Sequence, residues 1–147
     1  MTTTTAEAVI ERLGLQPHPE GGWYAETWRA PAADGVRPTA SAILYLLAAG
    51  EHSHWHRVDA AEIWQYSAGD RLELRIWAGD ETSVATHHLG AGLSGDDTPQ
   101  VTVPPGAWQA ARPLGAWTLV GCIVSPAFVF DGFELAPDGW QPPVAQQ

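Results

Sequence analysis

The spacing of apolar residues changes character once along this chain. In the first fifteen residues Val9, Ile10 and Leu13 form one apolar stripe at helical spacing. Thr5 stands where a cap belongs, Glu7 adds negative charge to the first turn, and Gly14 can stop the helix. Residues 17–22, PHPEGG, are too rich in Pro and Gly for a regular element. Beyond them the period becomes that of strands. The predicted strands are 23–29, 39–47, 54–58, 62–66, 71–77, 83–89, 101–103, 107–111, 117–124 and 133–135. The second is nearly all apolar and reads as buried on both faces. Turn signals at 68–70, 78–80, 90–97 and 104–106 separate these runs. Many short strands at regular spacing, after a single helix, indicate an all-β sandwich or barrel.

A length of 147 residues suits one domain over 1–147, with its core at about 6–137. Residues 138–147 read as a C-terminal tail whose one possible anchor is Trp140. The net charge of −10, with only seven Lys plus Arg, argues against nucleic acid or an anionic membrane as partner. Cys122 is the one cysteine, so no intramolecular disulfide can form; within the apolar run 119–124 it reads as a small buried hydrophobe. The start of the chain lacks the basic and apolar parts of a signal peptide, and the longest apolar stretch, 42–49, is far below the ~20 residues of a membrane helix. A cytoplasmic protein is the expectation. The eight tryptophans either fill a core or wall a pocket.

The chemistry concentrates in residues 50–69, GEHSHWHRVDAAEIWQYSAG. His52, His54 and His56 alternate, and alternate residues of a strand share a face. Glu62, Trp64 and Tyr66 alternate on the next predicted strand. Facing inward, these side chains would form a pocket of apolar walls with a few placed polar groups. A plain core reading also accommodates them: His56 and Glu62 can pair to offset the cost of burial, and Trp64 and Tyr66 can serve as wall.

This stretch resembles the first motif of the cupin superfamily, with Gly50, His56, Glu62 and Gly69 in register and Val58 where a second His belongs. Pro104-Pro105-Gly106 matches the middle of the second motif, in which Gln109 replaces the metal-binding His. The closer resemblance is to the cupin 5 (DUF985) branch. It rests on residues 18–27 (HPEGGWYAET), on 41–47 (SAILYLL), on His56-Arg57-Val58 with Glu62-Ile63-Trp64-Gln65-Tyr66, on 103–110 (VPPGAWQA), and on 119–126 (LVGCIVSP) with Phe128. It spans roughly residues 6–137. Ala60-Ala61 depart from the branch, which often has Ser-Asp there, and His54 stands where the branch shows no regular His.

The resemblance implies a double-stranded β-helix, a jelly-roll barrel with the N-terminal helix outside. It places His56 and Glu62 at the centre of the site as catalytic candidates, with Gln109 as a ligand contact; period two adds Trp64 and Tyr66 to the Glu62 face, the neighbouring buried strand adds Tyr45, and Glu20 of the turn is a further candidate contact. Cupin metals take two His, a Glu and a later His; with Val58 and Gln109 in two of those positions, no metal and no other cofactor is expected. Were a metal held, His54, His56 and Glu62 would be its ligands, because His54 and His56 would share a strand face. The implied function is metal-independent acid–base chemistry on a small polar metabolite, of the epimerase, isomerase or lyase type, with His56 as proton carrier and Glu62 setting its tautomer. A non-catalytic ligand-binding module and a metal-dependent oxygenase or isomerase are the alternatives. Small cupins commonly pair through edge strands, so a homodimer is expected, with residues 128–130 (FVF) as an apolar contribution.

Overall fold

The computed structural model describes residues 3–79 and 82–144. Met1, Thr2, Asp80 of the predicted 78–80 turn, Glu81 and the last three residues of the tail lie outside the described residues. The chain opens with α1 (Ala6–Leu13), capped by the Thr5 hydroxyl on the Ala8 amide and closed by Gly14 in the left-handed region. The strands follow: β1 (Gln16–Pro17), β2 (Trp23–Arg29), β3 (Ser41–Ala48), β4 (Ser53–Val58), β5 (Ala61–Gly69) and β6 (Leu72–Trp77). After them come β7 (Ala85–Leu89), β8 (Gln100–Val103), β9 (Trp108–Pro113), β10 (Trp117–Ser125) and β11 (Phe133–Leu135). The short strand β1 lies where the sequence predicts no regular element, and a single 3₁₀ turn (Phe130–Gly132) precedes β11.

The strands form two antiparallel sheets, ordered β1-β2-β3-β10-β5-β8 and β11-β4-β9-β6-β7. Sequence neighbours β4 and β5 fall in different sheets, while distant strands such as β3 and β10 pair directly. This winding is the all-β jelly roll that the cupin resemblance implies. On the outer face of the larger sheet, α1 packs Val9, Ile10 and Leu13 over Leu44, Leu46 and Trp117. That cover explains why Tyr45, Leu46 and Leu47 are all buried in consecutive positions of β3: one parity faces the barrel and the other faces the helix.

Between the sheets the interior is layered. Leu47, Leu72, Leu74, Leu89 and Val120 plug one end. Tyr45, Trp64 and Gln109, each 1% exposed, occupy the middle. The other end opens into a cavity.

Strand β4 departs from the predicted alternation. Its register against β9 shifts between Ser53 and His56, so a bulge separates them. Trp55 therefore faces outward with Trp77, Trp108 and Ala110, and His56 turns inward. Trp140 and Val144 of the tail pack on this outer cluster, so Trp140 is not the tail's one anchor. The Trp140 ring lies 4.6 Å from Trp108, and Arg57 and Arg75 cover Trp108 and Trp55. Trp140→Ala should destabilise the protein by about 1–3 kcal/mol, less than the 3–5 of a fully buried tryptophan. Urea unfolding followed by tryptophan fluorescence measures this.

Candidate functional site

The open end of the barrel is a cavity of about 330 Å³. Its floor carries His18, Glu20, His56 and Glu62; Ile43, Val58, Cys122 and Val124 wall it; and Tyr24, Glu26, Arg29, Phe128, Phe130 and Phe133 line the remainder.

Glu20 reaches the interior because of the two glycines after it. The His18–Gly22 turn closes on itself through the His18 amide to the Gly22 carbonyl, 2.9 Å, and packs against β4 through the His54 amide to the Glu20 carbonyl, 2.8 Å. Gly21 and Gly22 have φ of 106° and 79°. A Cβ on Gly21 would lie 2.1 Å from the His52 carbonyl oxygen, and one on Gly22 would lie 2.8 Å from that of Leu46. Only glycine fits both the conformation and the approach. The Tyr45 hydroxyl donates to the Gly21 carbonyl and ties the turn to β3.

His56 is held at both nitrogens. Its Nδ1–H donates to the His54 carbonyl at 2.7 Å, and Nε2 lies 2.7 Å from Glu20 Oε2. The His54 carbonyl only accepts, and Glu20, whose pKa lies below the ordinary carboxylate value because of the His56 charge, is ionised and only accepts too, so the ring carries two protons and is an imidazolium facing a carboxylate. Burial opposes this charge most strongly, but Glu20's charge and hydrogen bond, the charge of Glu62 and the His54 carbonyl together raise His56 to about 9. For Glu20 burial likewise opposes ionisation, and the His56 charge and hydrogen bond outweigh it, so its pKa lies below the ordinary value.

Glu62 sits differently. Its Oε1 accepts from Gln109 Nε2 at 2.9 Å, and Gln109 Oε1 in turn accepts from Trp64 Nε1 at 2.7 Å. Burial, helped by the nearby Glu20 charge and only partly countered by His56, pushes Glu62 up to about 7. Burial and the Glu62 charge push the Cys122 thiol well above its ordinary range. Cys122 is thus the buried residue the sequence leads one to expect, with one side on the cavity.

Of the sequence candidates, His56, Glu62 and Glu20 meet at the cavity. The others are corrected in depth, not in direction. Trp64, Gln109 and Tyr45 point inward one layer below the cavity, where they support Glu62 and the Glu20 turn. Tyr66 packs on the apolar core, its hydroxyl donating to the Gly69 carbonyl at 2.6 Å. Alternate strand residues share a face but advance about 6.6 Å per pair, so Tyr66 lies two such steps below Glu62. The expected His56–Glu62 partnership is also corrected: His56 pairs with Glu20, and Glu62 with Gln109.

His54 is removed from the candidate metal set by the bulge. It borders an outer groove with His52, and its Nε2 lies 3.0 Å from the Pro137 carbonyl. The donor set of the cavity does not suit the metal that many cupins carry. Val58 offers no ligand atom, Gln109 is committed to Trp64 and Glu62, and both His56 nitrogens are protonated and engaged. Among the described residues no group of three His, Cys, Asp or Glu is arranged to hold an ion. Sequence reasoning missed His18 and the aromatic rim of Tyr24, Phe128 and Phe133. His18 stands immediately before the PEGG block, whose two glycines are the one signal that its neighbours are pressed into the fold.

Residues 7–136 match the family model described as Cupin superfamily (DUF985). The X-ray structure of a protein from Shewanella oneidensis is 38% identical, with a TM-score of 0.86 over 91% of this chain and 85% of that one. A Leishmania major protein described as hypothetical is 34% identical, with a TM-score of 0.81 over 89% and 86% of the two chains. A dTDP sugar isomerase from Desulfovibrio desulfuricans, at 17% identity and a TM-score of 0.61 over 90% of each chain, shares the fold. No curated protein matches the sequence.

The two raised pKa values predict a pH dependence of stability. Glu62 rises from 4.5 to about 7, so its contribution is full below pH 4.5 and lost as pH climbs through 7. His56 rises from 6.5 to about 9, so its contribution is full below pH 6.5 and lost through 9. Thermal unfolding midpoints should fall between about pH 4.5 and 9. Glu20→Gln should flatten the alkaline half of that fall and destabilise the protein at pH 6 by about 3–5 kcal/mol, the cost of breaking a buried pair.

Proposed function

The chain belongs to the DUF985 family of the cupin superfamily, and on that premise we propose that its barrel binds a small, uncharged metabolite and moves a proton on it through Glu62. The observation that carries this reading is the state of Glu62. It is a buried carboxyl on the cavity floor, its hydrogen-bond partner Gln109 is uncharged, and burial pushes its pKa up to about 7. A proton carrier works best when its pKa lies near the working pH. His56, fixed as an imidazolium by Glu20, is a poor base at neutral pH; its role in this proposal is to moderate the rise of the Glu62 pKa and to hold Glu20. The expected roles of the two residues are thereby exchanged. Chemistry of the epimerase, isomerase or lyase type needs no more than such a carrier and a shielded pocket.

The charge balance favours an uncharged ligand. Among the described residues Arg29 is the one Arg on the cavity wall, and Glu26 grips it at 3.0 and 2.9 Å. Among the described residues the two cationic groups of the cavity, Arg29 and the His56 imidazolium, are each committed to a carboxylate, which weighs against a nucleotide-linked sugar despite the fold shared with the sugar isomerase. A non-catalytic carrier is the second reading, favoured by the apolar walls of Ile43, Val58 and Val124. The pairing of two copies remains a proposal, supported by Phe130, which is 60% exposed beside the cavity.

A ligand retained through purification should be detectable by native mass spectrometry. With that ligand, turnover should depend on pH with a midpoint near 7, and Glu62→Gln should abolish it while the protein stays folded. Turnover unchanged by Glu62→Gln contradicts the proposal; tight binding without turnover selects the carrier. Elemental analysis after dialysis should find no stoichiometric Zn, Fe, Ni or Mn, and chelation should leave ligand binding unchanged. Sedimentation equilibrium should give twice the chain mass at micromolar concentration; a monomer refutes the pairing.

A further inference from the structure

His18 lies in the cavity beside Glu20, and the mechanism above does not use it. Its Nδ1 accepts the Glu20 amide at 3.1 Å. A nitrogen that accepts carries no proton, so in the neutral ring the proton sits on Nε2. Burial lowers the His18 pKa, the Glu20 charge opposes this, and the His56 imidazolium adds to it; the net shift is downward, and the ring is neutral at pH 7. Among the described residues Nε2 has no protein partner, yet it is not sealed from the cavity, since the one buried side-chain polar atom without a partner is Ser53 Oγ.

The ring is held in place from several sides. Tyr24 meets it edge-on at 4.6 Å and Tyr45 at 5.7 Å, with Phe133 and Phe128 at 6.3 and 6.4 Å. The cavity thus presents two unlike groups to one small molecule: a carboxyl that can take a proton, and a neutral imidazole N–H with no acceptor of its own. A carboxylate base with a neutral imidazole donor is an arrangement suited to enolising a carbonyl compound, with the donor aimed where oxygen gains charge.

Resting on the reading of Glu62 as proton carrier, we propose that His18 is a second catalytic residue, whose Nε2–H hydrogen-bonds the carbonyl oxygen of a small uncharged ketone or aldehyde while Glu62 removes a proton from the adjacent carbon. In that step the C–H bond breaks and its proton passes to a Glu62 carboxylate oxygen. The C–H electron pair forms the carbon–carbon double bond, and the carbonyl π pair moves onto the oxygen held by His18. Return of a proton from Glu62 to carbon restores the ketone, on the same face for exchange or elsewhere for isomerisation. No oxidant, reductant or further reactant is consumed.

The test uses hydroxyacetone as probe in D₂O, with loss of its α-proton signals followed by ¹H NMR. The wild-type protein should exchange these protons well above the buffer rate, and Glu62→Gln should abolish the exchange. His18→Phe, which keeps a ring among the aromatic neighbours, should slow it by roughly 10²–10³-fold, as expected for an oxyanion donor, with the Kd for hydroxyacetone altered less than about tenfold. If His18→Phe exchanges at the wild-type rate while Glu62→Gln is silent, the role of His18 falls and the reading of Glu62 stands. Exchange that survives Glu62→Gln overturns both, and absence of exchange in the wild type overturns the ketone assignment. ¹⁵N NMR of the wild type guards against a variant that fails to fold: His18 should show a bare Nδ1 and a protonated Nε2 at pH 7, and the opposite tautomer or an imidazolium would overturn the proposal.

Discussion

The ion pair between His56 and Glu20, 2.7 Å apart and almost fully buried, is the constraint on which the rest of the site depends. Two charges inside a β-barrel are costly unless each satisfies the other and its remaining donors and acceptors. Here the His54 carbonyl takes the second imidazolium proton, and the turn that delivers Glu20 is pinned to β3 and β4 by hydrogen bonds of its own. The pair sets the field felt by its neighbours. It leaves Glu62 beside one negative and one positive charge, with burial tipping the balance toward the protonated form. His18 is held neutral mainly by burial; the Glu20 charge opposes this, and repulsion by the His56 imidazolium adds to it.

The glycines of the PEGG turn connect sequence to chemistry by the shortest route. Each adopts a backbone conformation that an L side chain resists, and each approaches a neighbouring carbonyl too closely for a Cβ. Without that approach Glu20 would sit at the barrel rim in water, and His56 would be a buried imidazole with nothing to offset its charge. The local backbone strain and the buried charge are thus two sides of one arrangement, in which a tight turn supplies the counter-ion.

Much of the fold is legible in the chain. The boundaries of β2 and β11, the Thr5 cap and the Gly14 stop follow from local pattern because each rests on neighbouring residues alone. The resemblance of residues 6–137 to cupins gives the winding of the sheets, which periodicity cannot. The failures are equally physical. Period two assigns Trp64 and Tyr66 to the correct face but carries no depth, so residues of the middle and bottom layers were grouped with the cavity. The bulge between Ser53 and His56 shifts the face of His54, and a bulge leaves no mark in an alternation of histidines. Local sequence points His56 to Glu62, six residues on in the next strand, whereas its partner Glu20 is thirty-six positions away and enters from a turn. His18 escaped notice for the same reason.

The chemistry of the cavity depends on the protonation states of two residues, and NMR titration of the intact protein reads both directly. The ¹³C carboxyl resonance of Glu62 should move with a midpoint near 7, and the ¹⁵N resonances of His56 should remain those of an imidazolium until about pH 9. A Glu62 midpoint at the ordinary 4.5, together with a His56 that is neutral at pH 7, would contradict both assignments.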